Sequence, residues 1–165
     1  MWRCFPLLVV LTAIVAGCGN GAGPLTWPKD AGTTEIGLPV TPHQLAVTAI
    51  PHRGLASQIL LLGVRPEFAQ DADGLTIRYA ASTSPRALEI GGARGWSPKG
   101  WSLHPLAGFV VPPRTGFAVV VGAASAKRGV HFIRGFVVDY RVGGTTYHAV
   151  QQVGLKVCVG LKTCP

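Results

Sequence analysis

Acidic residues are scarce in this chain, and methionine and asparagine are scarcer. Seven Asp and Glu stand against 15 Lys and Arg in 165 residues, a formal charge of +8. Met1 is the only methionine and Asn20 the only asparagine. Beyond Met1 the chain therefore has no thioether for a copper site. No apolar run reaches the roughly 20 residues that a spanning helix needs. No stretch combines a helical period with caps, because Gly and Pro, 22 and 13 in number, interrupt most windows. No histidine of His43, His52, His104, His131 and His148 stands two or four residues from another, so no local pair can grip a metal. No G-x-S-x-G elbow marks a hydrolase nucleophile. Asp71 and Asp73 precede Gly74 as a turn would, with too few oxygens for a calcium loop. The basic residues form no run or stripe, and no RNA-binding aromatic motif accompanies them, so nucleic acid is not an expected partner. No cofactor, bound metal or catalytic residue is expected, and no internal repeat is found.

What the chain does have is a series of short apolar stretches between Gly, Pro, Asp and Ser clusters. Strands are expected at Leu45–Ile50, Ser57–Arg65, Leu75–Ala81, Ala87–Ile90, Gly108–Val111, Phe117–Val121, Val130–Val142 and Thr145–Cys158. A short edge strand is expected around Glu35–Leu38. Strands at this spacing, rich in Val, Ile, Thr and aromatics, predict an all-β sandwich or barrel.

Gly143-Gly144 predicts a two-residue hairpin turn, since a Gly pair accepts the positive φ angles such turns demand. Pairing Val142 with Thr145 sets Tyr140 opposite Tyr147, Val138 opposite Ala149, Phe136 opposite Gln151 and Phe132 opposite Leu155. That face is mostly apolar and is expected to meet the core. The other face sets Arg141 opposite Thr146 and Asp139 opposite His148. Arg134 and Gln151 fall on the apolar face against their chemistry, and a bulge is one way to move them.

The first residues have a separate character. Arg3 precedes an apolar run from Phe5 to Val15, the small pair Ala16-Gly17 follows, and Cys18 comes next. Val15-Ala16-Gly17-Cys18 resembles the lipobox of bacterial lipoproteins. The resemblance implies a signal peptide over 1–17, cleavage before Cys18, and a diacylglycerol on the Cys18 thiol. Two acyl chains suffice for stable anchoring, where a single chain binds marginally. The implied location is the extracytoplasmic face of the cell membrane. Ten Arg, five Lys and one Asn fit a GC-rich genome, because Lys and Asn codons are AT-rich. Gly-Phe-Val-Val-Asp-Tyr at 135–140 with the Gly-Gly hairpin resembles the C-terminal strands of small lipoproteins from high-GC Gram-positive bacteria. That resemblance covers the last third of the chain. It implies no activity. The eight-strand pattern after a Pro-rich tether, with a disulfide at the end of the last strand, resembles a single immunoglobulin-like β-sandwich of about seven to eight mostly antiparallel strands.

Three segments follow: the signal over 1–17, a lipidated Cys18 with a Pro/Gly-rich tether over 18–43, and a β-sandwich domain over 44–165. With Cys4 lost in the signal and Cys18 lipidated, only Cys158 and Cys164 remain, and an exported compartment permits a bond between them. The mature charge is about +7, fourteen Lys and Arg (15 less Arg3) against seven acids. It would draw the domain toward anionic headgroups.

One loop-like segment, Arg94 to Pro105, carries Trp96, Lys99, Trp101 and His104. Exposed Trp beside Arg is the composition of a binding hot spot. Trp with Lys also suits a lipid interface, and large aromatics also serve as buried caps. The function expected is non-enzymatic: a membrane-anchored module that binds a protein or another envelope component. The alternative is a metal or small-ligand carrier using histidines from separate strands, recognised by three His converging on one point. A hydrolase would need a pocket joining His148, Asp139 and a serine.

Overall fold

The computed structural model describes residues 23–25, 33–68, 74–89 and 91–165. Among these, eleven strands form two sheets that face each other across one core. The first sheet holds β1 (Thr34–Val40), β11 (Val153–Val159), β9 (Gly129–Val142), β3 (Ile59–Phe68) and β7 (Val110–Val111), in that order, with β10 (Thr145–Gln151) also on β9. The second runs β5 (Gly91–Arg94), β2 (Ala46–His52), β8 (Phe117–Ser125), β4 (Leu75–Ser82) and β6 (His104–Pro105). All pairs are antiparallel except β1 with β11. Among the described residues no helix is long and apolar enough to cross a membrane.

The strand count exceeds the seven to eight expected, for local reasons. The stretch 145–158 is two strands rather than one. Gln151 pairs with Phe136, but Leu155 pairs with Ile133 rather than Phe132. One extra residue therefore sits on the β10–β11 side, as in a bulge. Gly135 permits it, since a Cβ there would lie 2.7 Å from the Gln151 carbonyl oxygen. The shift turns Arg134 out to solvent. Ala87–Ile90, expected as a strand, also differs. Pro85 opens a 3-10 turn over Pro85–Leu88, closed by Ala87 N–H donating to the Ser84 carbonyl at 2.9 Å, and the strand follows at Gly91. Proline suits a first helical position because it has no N–H to leave unpaired.

The hairpin register is as predicted, from Thr145–Val142 through His148–Asp139 to Gln151–Phe136. Tyr140, Phe136, Val138, Ile133, Leu155, Phe117 and Ile50 fill the core from both sheets. Burying each large side chain contributes roughly 1.5–3 kcal/mol. Strand β8 is buried along its whole length. It lies between β2 and β4, with the core on one face and a second apolar cluster on the other. Two-sided burial explains why it reads as an apolar run without alternation.

The domain starts earlier than residue 44. Strand β1 pairs along its length with β11, from Thr34–Val153 to Val40–Val159, so the expected edge strand is part of the sheet. Leu25 also lies in the core, 4% exposed. Its N–H donates to the Tyr140 hydroxyl at 3.0 Å, and its carbonyl accepts from Gln151 Nε2 at 3.3 Å. Gln151, unexplained in the apolar face, thus holds a backbone carbonyl. Burial pushes the Tyr140 phenol above its ordinary pKa.

The loops divide between two ends. The chain passes between sheets at one end after Val40, Phe68 and Ser125, and at the other after His52, Pro105 and Val111. The second end, called upper below, also holds the Gly143-Gly144 turn.

Candidate functional site

Cys18 lies outside the described residues. Cys158 and Cys164 are bonded, with Cα atoms 5.5 Å apart. The bond folds residues 160–165 back beside β1 and β11. A Cβ on Gly37 would lie 3.0 Å from Cys164 Cβ, so glycine leaves room for the fold-back. Lys156 pairs with Glu35 and donates to the Pro165 carbonyl oxygen at 2.8 Å. Gly160 N–H donates to the Val40 carbonyl at 2.8 Å. These contacts pack the last residues against β1 and β11.

The four residues named for binding differ in their surroundings. Trp96 and Trp101 are half-buried on the outer face of the second sheet. With Leu45 and Leu103 they cover Val47, Ala49, Ala80, Ala87, Ala118 and Val120. Part of their apolar area is therefore used within the molecule. Lys99 is exposed between them, and exposed His104 stacks on Phe109 with ring centroids 5.3 Å apart. Gly122 supplies the bed for Trp96, since a Cβ there would lie 2.8 Å from the indole. Gly122→Val is expected to lift Trp96 and cost about 1–3 kcal/mol. A red-shifted tryptophan emission with a lower urea midpoint would show it, and unchanged emission would refute it.

Asp139 and His148 meet across β9 and β10, with Oδ1 2.6 Å from Nδ1. Asp139 also meets Arg65, whose Nε lies 3.8 Å from Oδ2. His148 is 50% exposed at its side chain. Such a pair is solvent-screened, contributes at most about 1 kcal/mol, and here reinforces register. The remaining histidines are dispersed. His43 is exposed, and His131 Nε2 lies 2.9 Å from the Lys127 carbonyl oxygen. His52 stacks on Phe117 at 4.9 Å, and its Nε2 is buried without a hydrogen-bond partner. Burial lowers its pKa from 6.5 to about 4. Among the described residues no three of His, Cys, Asp and Glu gather where a metal could be held.

The upper end has a distinctive surface. Loops 53–58, 106–116 and 143–144 contain no Asp or Glu. Arg53 and Arg114 are exposed in two of them, and Arg141 is exposed one residue before the strand end. Val110 is 45% exposed, and Pro112 and Pro113 are exposed beside it. An open depression lies there, lined by Ser57, Gln58, Leu60, Arg141, Gly143 and Gly144. The loops lock together through Arg114 N–H, which donates to the Leu55 carbonyl at 2.6 Å. Sequence reading missed this surface because its arginines lie far apart in the chain. The signal available was the lack of acids in those three loops.

No protein-family model matches the chain, and no curated protein matches it in sequence. Among solved structures it is similar to the Vibrio cholerae VesB protease, at 9% identity and TM-score 0.40, over 76% of this chain and 30% of that one. It is also similar to the Proteus mirabilis ambient temperature fimbriae adhesin AtfE, at 8% identity and TM-score 0.27, over 78% of this chain and 96% of that one. The chain spans less than a third of the VesB structure's length. At these scores neither likeness carries an argument.

Proposed function

We propose that this chain is a non-enzymatic cell-envelope lipoprotein, anchored through lipid on Cys18 at the extracytoplasmic face of the membrane. It presents an immunoglobulin-like sandwich to a protein or another envelope component. The observation that carries the reading is the position of Val15-Ala16-Gly17-Cys18. The motif follows an apolar run directly and stands five residues ahead of Gly23, which lies beside the rings of Tyr140 and Tyr147. The Cys158–Cys164 bond suits an exported compartment. The immunoglobulin-like reading is supported by two face-to-face sheets whose connections cross between them and by a first strand that joins the sheet of the last. It lacks the inter-sheet disulfide of antibody domains, since Cys158 bonds to the segment after its own strand.

Detergent phase partition tests the anchor. The wild-type chain, expressed in a bacterium that processes lipoproteins, is expected in the detergent phase with diacylglycerol on an N-terminal Cys18. Cys18→Ser is expected in the aqueous phase. Wild-type protein in the aqueous phase with an unmodified Cys18 would refute the reading.

A further inference from the structure

Leu25 changes the length of the connection to the membrane. If residues 18–43 were free, the domain could stand on the order of 90 Å from its anchor, at up to 3.6 Å per extended residue. Leu25 is instead buried in the core, held at N–H by Tyr140 and at the carbonyl by Gln151. Gly23 is pressed against the Tyr140 hydroxyl and the Tyr147 ring, for a Cβ there would lie 2.3 and 2.5 Å from them. Only residues 19–22 separate Gly23 from Cys18. Five residue steps reach at most about 18 Å.

The place where this short connection leaves the domain matters as much as its length. Tyr140 and Tyr147 are a register pair two steps from Val142–Thr145, the pair that closes the Gly143-Gly144 turn. Two steps along a strand are about 7 Å. The connection therefore leaves the sandwich near its upper end. A lipid on Cys18 would hold that end against the bilayer and direct the lower end away. The surface there fits the assignment. Arg53, Arg114 and Arg141 are exposed, the three loops carry no carboxylate, and Val110, Pro112 and Pro113 stand out beside them. Basic side chains within a Debye length of anionic headgroups are attracted to them, and small apolar groups can settle among the headgroups.

We infer that the upper end of the sandwich docks on the anionic surface of the membrane, held there by the Leu25 plug and the four residues between Cys18 and Gly23. This rests on lipidation of Cys18 as proposed above. The partner of the module would then meet its lower end or its sides.

The test uses the full lipidated chain in vesicles, with Cys18 modification verified by mass. Fluorophores on Ser57→Cys and Ala126→Cys report the upper and lower ends, since both native residues are exposed. The two ends are separated by the nine residues of β8, about 30 Å. Headgroup-spin-labelled lipid is expected to quench the Ser57→Cys label several-fold more than the Ala126→Cys label. The difference should be largest in vesicles containing phosphatidylglycerol. Twelve Gly/Ser residues inserted after Cys18 should abolish it in pure phosphatidylcholine, where charge no longer assists. Arg53→Glu with Arg114→Glu should weaken it in phosphatidylglycerol. Equal quenching at both ends on a verified lipoprotein would overturn the docking and leave the anchor intact. An unmodified Cys18 would overturn both. A difference that survives the inserted linker in phosphatidylcholine would overturn the role given to the short connection.

Discussion

Acidification from pH 6.5 to about 4 is expected to remove about 2–3 kcal/mol of folding stability through His52 alone. His52 ends β2 and stacks on Phe117, with Nε2 buried and unpartnered. The neighbouring loops 53–58 and 112–116 offer no carboxylate to pair with an imidazolium. Burial therefore favours the neutral ring, and the folded pKa falls to about 4 against 6.5. Between those values the unfolded chain binds the proton and the folded chain does not. Stability from this group is present above pH 6.5, declines as pH falls through the window, and is flat below about 4. The residue keeps some exposed surface, which places the effect at the lower part of the range. His52→Phe retains the stack on Phe117 and removes the titration. Urea unfolding at pH 7, 5.5 and 4.5 should give the wild type a steeper loss than His52→Phe. Parallel losses in the two proteins would refute the assignment.

The same residue shows what a sequence can and cannot reveal. His52 sits at the end of an apolar strand, and nothing local says that its ring is covered. Cover comes from Phe117, which is 65 positions away and paired with it in the sheet. Legible features were those set by neighbours along the chain. The Gly143-Gly144 turn and the two-residue alternation on either side fixed the β9–β10 register, Asp139–His148 included. Pattern also located the β8 run, and counting cysteines paired Cys158 with Cys164. Features decided by cross-sheet packing were illegible. The bulge at Gln152 depends on the absence of a Cβ on Gly135, beside the Gln151 carbonyl. The Trp96 bed depends on Gly122, and the upper surface depends on three loops meeting. Gly-and-Pro composition marked residues 18–43 as a tether, yet β1 and Leu25 lie inside that range. Composition averages over a segment, whereas one leucine with two hydrogen-bonding partners is enough to dock it.

Leu25→Ala is expected to cost about 2–3 kcal/mol, the lower part of the range for truncating a buried leucine. The cost is bounded by the free energy of docking, because a plug that no longer fits can leave without unfolding the sheets. Tyr140→Phe attacks the same contact from the other side. It leaves the buried Leu25 N–H without its acceptor, a loss of about 1–3 kcal/mol. The two effects should not add. Once alanine lets the segment leave, water satisfies the N–H, and Tyr140→Phe has no Leu25 amide left to lose. A double-mutant cycle should therefore show a coupling of at least about 0.5 kcal/mol. Amide exchange at Leu25 reads the docking directly: slow in the wild type and fast in either variant. Additive losses with unchanged exchange at Leu25 would mean that the plug is not what joins the two residues. Coupled losses with fast exchange would identify Leu25 as the residue that sets how far this domain stands from its N-terminal segment.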